Sequence, residues 1–271
     1  MVLVPNVLYS SRVGKVLISR TLLASRNLLP FIFRYGIKLF FLHIIFASGL
    51  RKQELKPTEV QIAEFKFSFP INRISVRTFV DVFLFRYHLP KTPVRENAVI
   101  LDFGSNIGLT LLDFSLRFPR SQIFGYEIDY SNFLMSREIT SERTNVSIIN
   151  TGVAQMSGEM YYDPGRDSDA YCLQESKLET FVVVQTESIR SILSKYSEID
   201  YIKMDIEGTE LQVLNSLRKE DVEHVKELQV EIHDQVSNLE LRSCLEKIGF
   251  KVFNHEHHWS ALRAIKPEFI K

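Results

Sequence analysis

The feature that most constrains this chain is an apolar run that stops in a glycine turn and restarts as a helix: Val99-Ile100-Leu101-Asp102-Phe103-Gly104-Ser105-Asn106-Ile107-Gly108-Leu109-Thr110. Residues Ala98 to Leu101 have the length and β-branched content of a strand buried on both faces. Gly104 and Gly108 permit a tight turn beside a bound ligand. A helix then runs through Leu109, Leu111, Leu112, Phe114 and Leu116 to Phe118-Pro119. Strand, turn and helix in this order open a nucleotide-binding α/β domain, whose ligand sits outside the carboxyl end of the strand.

The spacing of the turn says which nucleotide. A dinucleotide site uses G-x-G-x-x-G, so that backbone can approach a pyrophosphate. Here the pattern is D-x-G-x-N-x-G: Asn106 stands where the phosphate-approach glycine belongs, and the acid Asp102 lies two residues before Gly104. A carboxylate there would repel pyrophosphate but accept hydrogen bonds from an ammonium group such as the methionine end of S-adenosylmethionine. The second apolar run, Gln122 to Tyr126, ends in Glu127-Ile128-Asp129. An acid at that distance suits ribose hydroxyls, with Glu127 the better placed of the two. The third strand, Val146 to Asn150, leads into Thr151-Gly152-Val153, where an adenine would lie.

Four blocks carry a resemblance to a known family: Leu101-Asp102-Phe103-Gly104-Ser105-Asn106-Ile107-Gly108, Gly125-Tyr126-Glu127, Ile202-Lys203-Met204-Asp205-Ile206-Glu207-Gly208-Thr209-Glu210, and Val230-Glu231-Ile232-His233. In them the chain resembles the FkbM-type S-adenosylmethionine-dependent methyltransferases. K-x-D-x-E-G-x-E is the discriminating block, and the likeness runs from about Phe79 to Ile265. It implies a class I Rossmann-like α/β fold, a seven-stranded, mostly parallel sheet with a C-terminal antiparallel hairpin. It also implies S-adenosylmethionine as cofactor, held by Asp102, Gly104, Asn106, Gly108, Glu127, Asp129, Gly152 and Val153, and an oxygen acceptor: a hydroxyl of a sugar, glycan lipid or natural-product scaffold.

Moving a methyl to an alcohol asks for an aligned acceptor and a group to take its proton. Asp205 and His233 fall at the carboxyl ends of the fourth and fifth strands, the same rim as Gly104, and are the expected catalytic pair, with Glu231 on His233's strand face to orient it. Plainer roles stand beside these: Asp205 as a cap of the next helix, His233 as a hydrogen-bonded sheet-end histidine. Glu210 falls at a helix start, where the dipole favours a carboxylate. Asp205, Glu231 and His233 are conceivable oxygen and nitrogen ligands, but no paired His or Cys spacing supports them, so no metal is expected. The tract His255-Glu256-His257-His258 reads as a solvated turn.

Around this centre the chain divides into a basic, apolar extension over 1–53, a linker with sheet-edge elements over 54–96, and a cofactor-binding domain over 97–271. Residues 1–53 hold eight basic residues and no acid, which leaves 25 basic against 33 acidic residues from Glu54 onward. Equal totals of 33 basic and 33 acidic residues give no reason to expect nucleic acid as a partner. Residues 1–29 have the composition of a transit peptide or a basic surface helix. Phe31 to Leu50 carries Arg34 and Lys38 on one helical face and can lie on a membrane, pack on the domain or span. Peripheral membrane contact through residues 1–50 is therefore open, and with Cys172 and Cys244 as the only cysteines a reducing, cytoplasmic setting is expected.

Glu54 to Glu64 reads as the linker, Phe65 to Tyr87 as one or two strands and a helix, and Ser131 as the N-cap of a helix reaching about Thr140. Phe181 to Thr186 is expected to pair with Met160-Tyr161-Tyr162, and Ala154 to Gln174 to form a surface or lid loop. Two other functions compete with O-methylation: methyl transfer to protein or nitrogen, and a non-catalytic, membrane-associated methyltransferase-like module.

Overall fold

The computed structural model describes residues 55–62, 65–163, 173–174, 181–233, 238–258 and 260–270. The extension 1–53, and residues 164–172 of the expected loop with Cys172, lie outside the described residues. The chain divides into two compact units, one taking the chain up to Tyr87 together with Asn254–Ser260, the other His88–Phe253 with Ala261–Lys271. Among the described residues no helix is long and apolar enough to cross a membrane.

In the first unit, β1 (Leu55–Ile62) pairs antiparallel with β2 (Phe65–Ile71), Val60 opposite Phe67. The stretch expected to be a linker is thus a strand. Its polar residues are one face of an alternation: Val60 is buried between exposed Glu59 and Gln61. Asn72 caps α1 (Arg73–Val80) by accepting from Ser75 N at 2.9 Å, and Ser75 Oγ accepts from Asn72 N at 3.3 Å, a reciprocal capping box. A π-helical turn, Asp81–Phe85, follows. Phe79 of α1 stacks on Phe69 of β2 with ring centroids 5.3 Å apart. The histidine tract is a turn, as its composition suggests, with Glu256 exposed, but His255 is not solvated: it is 2% exposed and its Nδ1 accepts from His257 N at 3.0 Å.

The second unit runs β3 (Val99–Phe103), α2 (Leu109–Arg117), β4 (Gln122–Tyr126), α3 (Tyr130–Ile139), β5 (Val146–Ile149), β6 (Gly152–Ala154), β7 (Gly158–Tyr162), β8 (Val182–Ser188), α4 (Ile189–Leu193), β9 (Ile199–Met204), α5 (Glu210–Asn215), β10 (Val225–Glu231), α6 (Asn238–Lys247), β11 (Lys251–Asn254) and β12 (Ala261–Ile265). Its main sheet has the order β11-β12-β10-β9-β3-β4-β5. Neighbours from β10 to β5 are parallel, and β12 is antiparallel to β10. This is the Rossmann-like, mostly parallel seven-stranded arrangement expected from the sequence. The chain leaves β3 toward β4 and β5, then returns to its other side as β9 and β10, so the order reverses at β3 and opens a crevice beyond its carboxyl end.

A strand buried on both faces needs an apolar residue at nearly every position, and β3 has that composition. Ile100 packs with Leu111, Phe114, Ile123 and Tyr201 on one side; Leu101 and Phe103 join Met204, Leu214, Val230 and Leu245 on the other. A second sheet, β6-β8-β7, contains the expected pairing of Met160 with Val184, and adds β6 parallel to β8. Asp129, not Ser131, caps α3: its Oδ1 accepts from Asn132 N at 2.8 Å. Both residue types cap well, and Asp129, directly before Tyr130, is the one whose carboxylate reaches the third helical amide.

Candidate active site

The turn after β3 is held from below by Tyr126 at the end of β4, whose carbonyl accepts from both Gly104 N and Ser105 N at 3.0 Å. Gly104 has φ +79°, and a Cβ there would overlap the carbonyl oxygen of Asp205. Only glycine allows the turn this close to the loop after β9. Asn106, φ +50°, is in the left-handed region that asparagine tolerates, and its Oδ1 accepts from Ile107 N at 2.7 Å. Gly108, φ +84°, starts α2, and a Cβ there would overlap Ser136.

Glu127 is 5% exposed and holds the turn from the side: one carboxylate oxygen accepts from Asn106 N at 2.7 Å, the other from Asp129 N at 2.9 Å. Burial pushes its pKa up to about 7 against the pull of those two amides. Asp129 spends one oxygen on the α3 cap and accepts from Tyr162 OH with the other at 2.7 Å. Gly152 and Val153 open β6, packed under Ile128 and Thr186 and largely out of solvent.

Asp102 is fully buried. It accepts from Thr110 Oγ1, and its other oxygen lies 3.3 Å from Lys203 Nζ. Burial raises its pKa; the Lys203 charge and the Thr110 hydroxyl oppose that. The ammonium facing it here is therefore one from β9.

These residues fit S-adenosylmethionine. Ser105 Oγ is buried with no partner among the described residues, and the oxygens of Glu127 stand at the strand end where ribose hydroxyls would donate. The donor set is acidic, which suits a cationic ligand.

A second cluster adjoins the turn. Asp205 N donates to Phe103 O at 2.9 Å, tying the loop after β9 to the end of β3. Asp205, Glu231 and His233 converge, each offering an atom within 4.8 Å of the others. His233 Nε2 lies 3.0 Å from Glu207 and 3.5 Å from Asp205, while Nδ1 lies 2.8 Å from Glu210. Burial alone would lower the imidazole pKa, but the hydrogen bonds to Glu207 and Glu210 and the charge of Asp205 outweigh it and push the pKa up to about 11. His233 is thus an imidazolium at neutral pH. Glu231 is held well above the usual carboxylate range, chiefly by burial and then by the Asp205 charge.

Asp205 does not cap α5. Thr209 is in the N-cap position without a side-chain bond, and Glu210 takes the free amides instead, accepting from Ile206 N at 3.2 Å and Gly208 N at 2.9 Å. Two residues of the K-x-D-x-E-G-x-E block, Lys203 and Glu210, have roles that the motif alone does not give. Lys203 is 3% exposed at the side chain and bridges Asp102 to Asp205, 3.2 Å from Asp205 Oδ2; a lysine inside the apolar strand Tyr201-Ile202-Lys203-Met204 was its signal. Glu210 is 1% exposed and fixes the His233 ring. Glu227 shares the alternation of Glu231 but lies toward the far end of β10, buried as an anchor for Lys91 N, Thr92 N and Arg263.

Sequence and structure comparisons relate the chain to known methyltransferases. A sequence model of the methyltransferase FkbM domain matches residues 104–252. The methyltransferase sdnD of Sordaria araneosa is 22% identical over 202 residues, 61% of this chain and 78% of that protein. Methyltransferase 1 of Beauveria bassiana is 22% identical over 194 residues, 62% of this chain and 78% of that one. Among solved structures, Aeropyrum pernix fibrillarin in complex with natively bound S-adenosyl-L-methionine aligns with a TM-score of 0.45 at 12% identity, over 78% of this chain and 83% of that one. The FkbM match takes in the glycine turn, the Glu127 strand end, the K-x-D-x-E-G-x-E block and His233, over more than half of the chain, and on that extent the protein belongs to the FkbM family of methyltransferases and uses S-adenosylmethionine.

Proposed function

We propose that the protein methylates a hydroxyl oxygen of a sugar, glycan lipid or natural-product scaffold. The observation that carries this reading is the contact between the two clusters: the Asp205 backbone touches the Gly104 turn, so its carboxylate and the His233 ring stand beside the place where the cofactor's reactive end belongs. An alcohol must lose a proton as it attacks, and groups that manage a proton at this point have a purpose that an already nucleophilic amine would not require.

When bound, S-adenosylmethionine supplies a methyl group already activated on a sulfonium. The chain's own residues do the rest. Gly104 and Asn106 bring the backbone close, and Glu127 holds that backbone and takes the ribose hydroxyls. His233, cationic and locked by Glu210, stabilises negative charge that grows on the acceptor oxygen. Asp205, already hydrogen-bonded to Lys203 through one oxygen, receives the acceptor proton on the other. Since the imidazole holds its own proton at neutral pH, the carboxylate and not the ring is the proton acceptor in this scheme.

The test uses the full chain, methyl-tritiated S-adenosylmethionine and matched acceptors that differ only in bearing a hydroxyl or an amine. Label in the hydroxyl member, lost in Asp205→Ala while S-adenosylhomocysteine still binds, is expected. Label only in amines or in protein overturns the reading.

A further inference from the structure

We propose that Asp205, Glu231 and His233 form a binding site for one divalent cation of the kind that takes carboxylate oxygens and an imidazole nitrogen, with Mn²⁺ as its probe. The three side chains come from the carboxyl ends of adjacent parallel strands. Val230 of β10 stands opposite Met204 of β9, so Glu231 and Asp205 follow in register, and their backbones are fixed by the sheet. The donor atoms lie within 4.8 Å of one another. Ligands at roughly 2.1 Å from a small cation need only a modest inward movement from there.

Composition and orientation both suit an ion. One imidazole among carboxylates is a mixed donor set for borderline divalent metals. The ring is already aimed: Glu210, itself held by Ile206 N and Gly208 N, takes Nδ1 at 2.8 Å and leaves Nε2 turned toward Asp205 and Glu207. A carboxylate behind a ligating imidazole is the outer partner that fixes tautomer and angle at metal sites. Lys203 occupies Oδ2 of Asp205, so Oδ1 is the oxygen on the His233 side.

Charge supplies the driving force. The carboxylates of Asp205, Glu207 and Glu210 all lie within 3.5 Å of the His233 ring, and Glu231 adds a fourth carboxyl group beside Asp205 and His233. The purpose of the ion rests on the hydroxyl-acceptor reading; its binding does not. With the ion bound, Asp205 Oδ1 and the His233 ring would be its ligands, so the acceptor proton would pass to Glu207 instead of Asp205, the oxygen's lone pair would form the new C–O bond, and the C–S bond would break with its pair going to sulfur, leaving a neutral thioether.

The experiment needs no acceptor. Full-length protein, stripped with chelator and desalted, is titrated with MnCl₂ while electron paramagnetic resonance follows the free ion. One ion per chain is expected, weakened at least about tenfold in Asp205→Asn and in Glu231→Gln and unchanged in the exposed control Glu220→Gln. Pulsed resonance of the wild-type complex should show coupling to an imidazole nitrogen, a readout that survives if a variant fails to fold. No uptake at about millimolar Mn²⁺ by folded protein, uptake unchanged in both variants, or a complex without nitrogen coupling each overturns the site. Methyl transfer to a hydroxyl that persists in the stripped protein overturns the purpose of the ion and leaves the proposed function standing.

Discussion

Replacing Lys203 by Met isolates the bridge between the two clusters. Nζ lies 3.3 Å from Asp102 Oδ1 and 3.2 Å from Asp205 Oδ2, with side chains 3%, 0% and 19% exposed. Methionine fills nearly the same volume, so the cost is electrostatic: Asp102 keeps Thr110 but loses its ammonium in a fully buried position. Removing one partner of a buried pair costs about 3 to 5 kcal/mol, or about 10 °C in melting temperature for a unit of this size. The loss should depend on pH. Burial already raises the Asp102 pKa, and without Lys203 it rises further, so the ionised group opposes folding. That cost is absent below the ordinary aspartate pKa and grows as pH rises toward the folded-state value, so Lys203→Met should be closer to wild type at about pH 5 than at about pH 8. Urea titrations followed by circular dichroism measure both quantities. Asp102→Asn combined with Lys203→Met should recover more than half of the loss, because no buried charge is left unpaired. A loss under about 1 kcal/mol, or one that ignores pH, would refute the buried-bridge account.

Two further outcomes test the cofactor turn. Gly104→Ala forces a Cβ into the Asp205 carbonyl at φ +79°, so S-adenosylhomocysteine affinity should fall at least about tenfold and the protein lose about 1 to 3 kcal/mol; wild-type affinity in calorimetric titration would mean that the close approach is relaxed. Cofactor affinity should also follow the ionisation of Glu127, whose pKa is about 7. Ribose hydroxyls donate to the carboxylate form, so binding strengthens as pH rises through that value and levels off above it, weaker by about tenfold at about pH 6 than at about pH 8. A flat profile in wild type, or the same slope in Glu127→Ala, removes Glu127 from that role.

Much of the fold was legible because the signals were local. The apolar period of β3, the glycine turn, the acid at the end of β4 and the alternation along β10 depend on neighbours within a few residues, and they specified a parallel α/β sheet and its cofactor end. Reading failed where a local pattern had two physical solutions. Glu59 and Gln61 lie in a stretch that looked like a linker but are on the exposed face of β1, and Asp129 took the α3 cap that Ser131 could also have supplied because it stands directly before the first helical residue. The site divides in the same way. Sequence determined which residues are acids, which glycines can turn, and that Asp205 and His233 lie on one rim. Tertiary structure alone decided their electrical state, because burial and the distances among Asp102, Lys203, Asp205, Glu207, Glu210 and His233 arise between strands far apart in the chain. Those distances make His233 an imidazolium, Lys203 a buried bridge and Glu210 the holder of the ring, since charge interactions in a low-dielectric interior scale with separation in space and not with spacing along the chain.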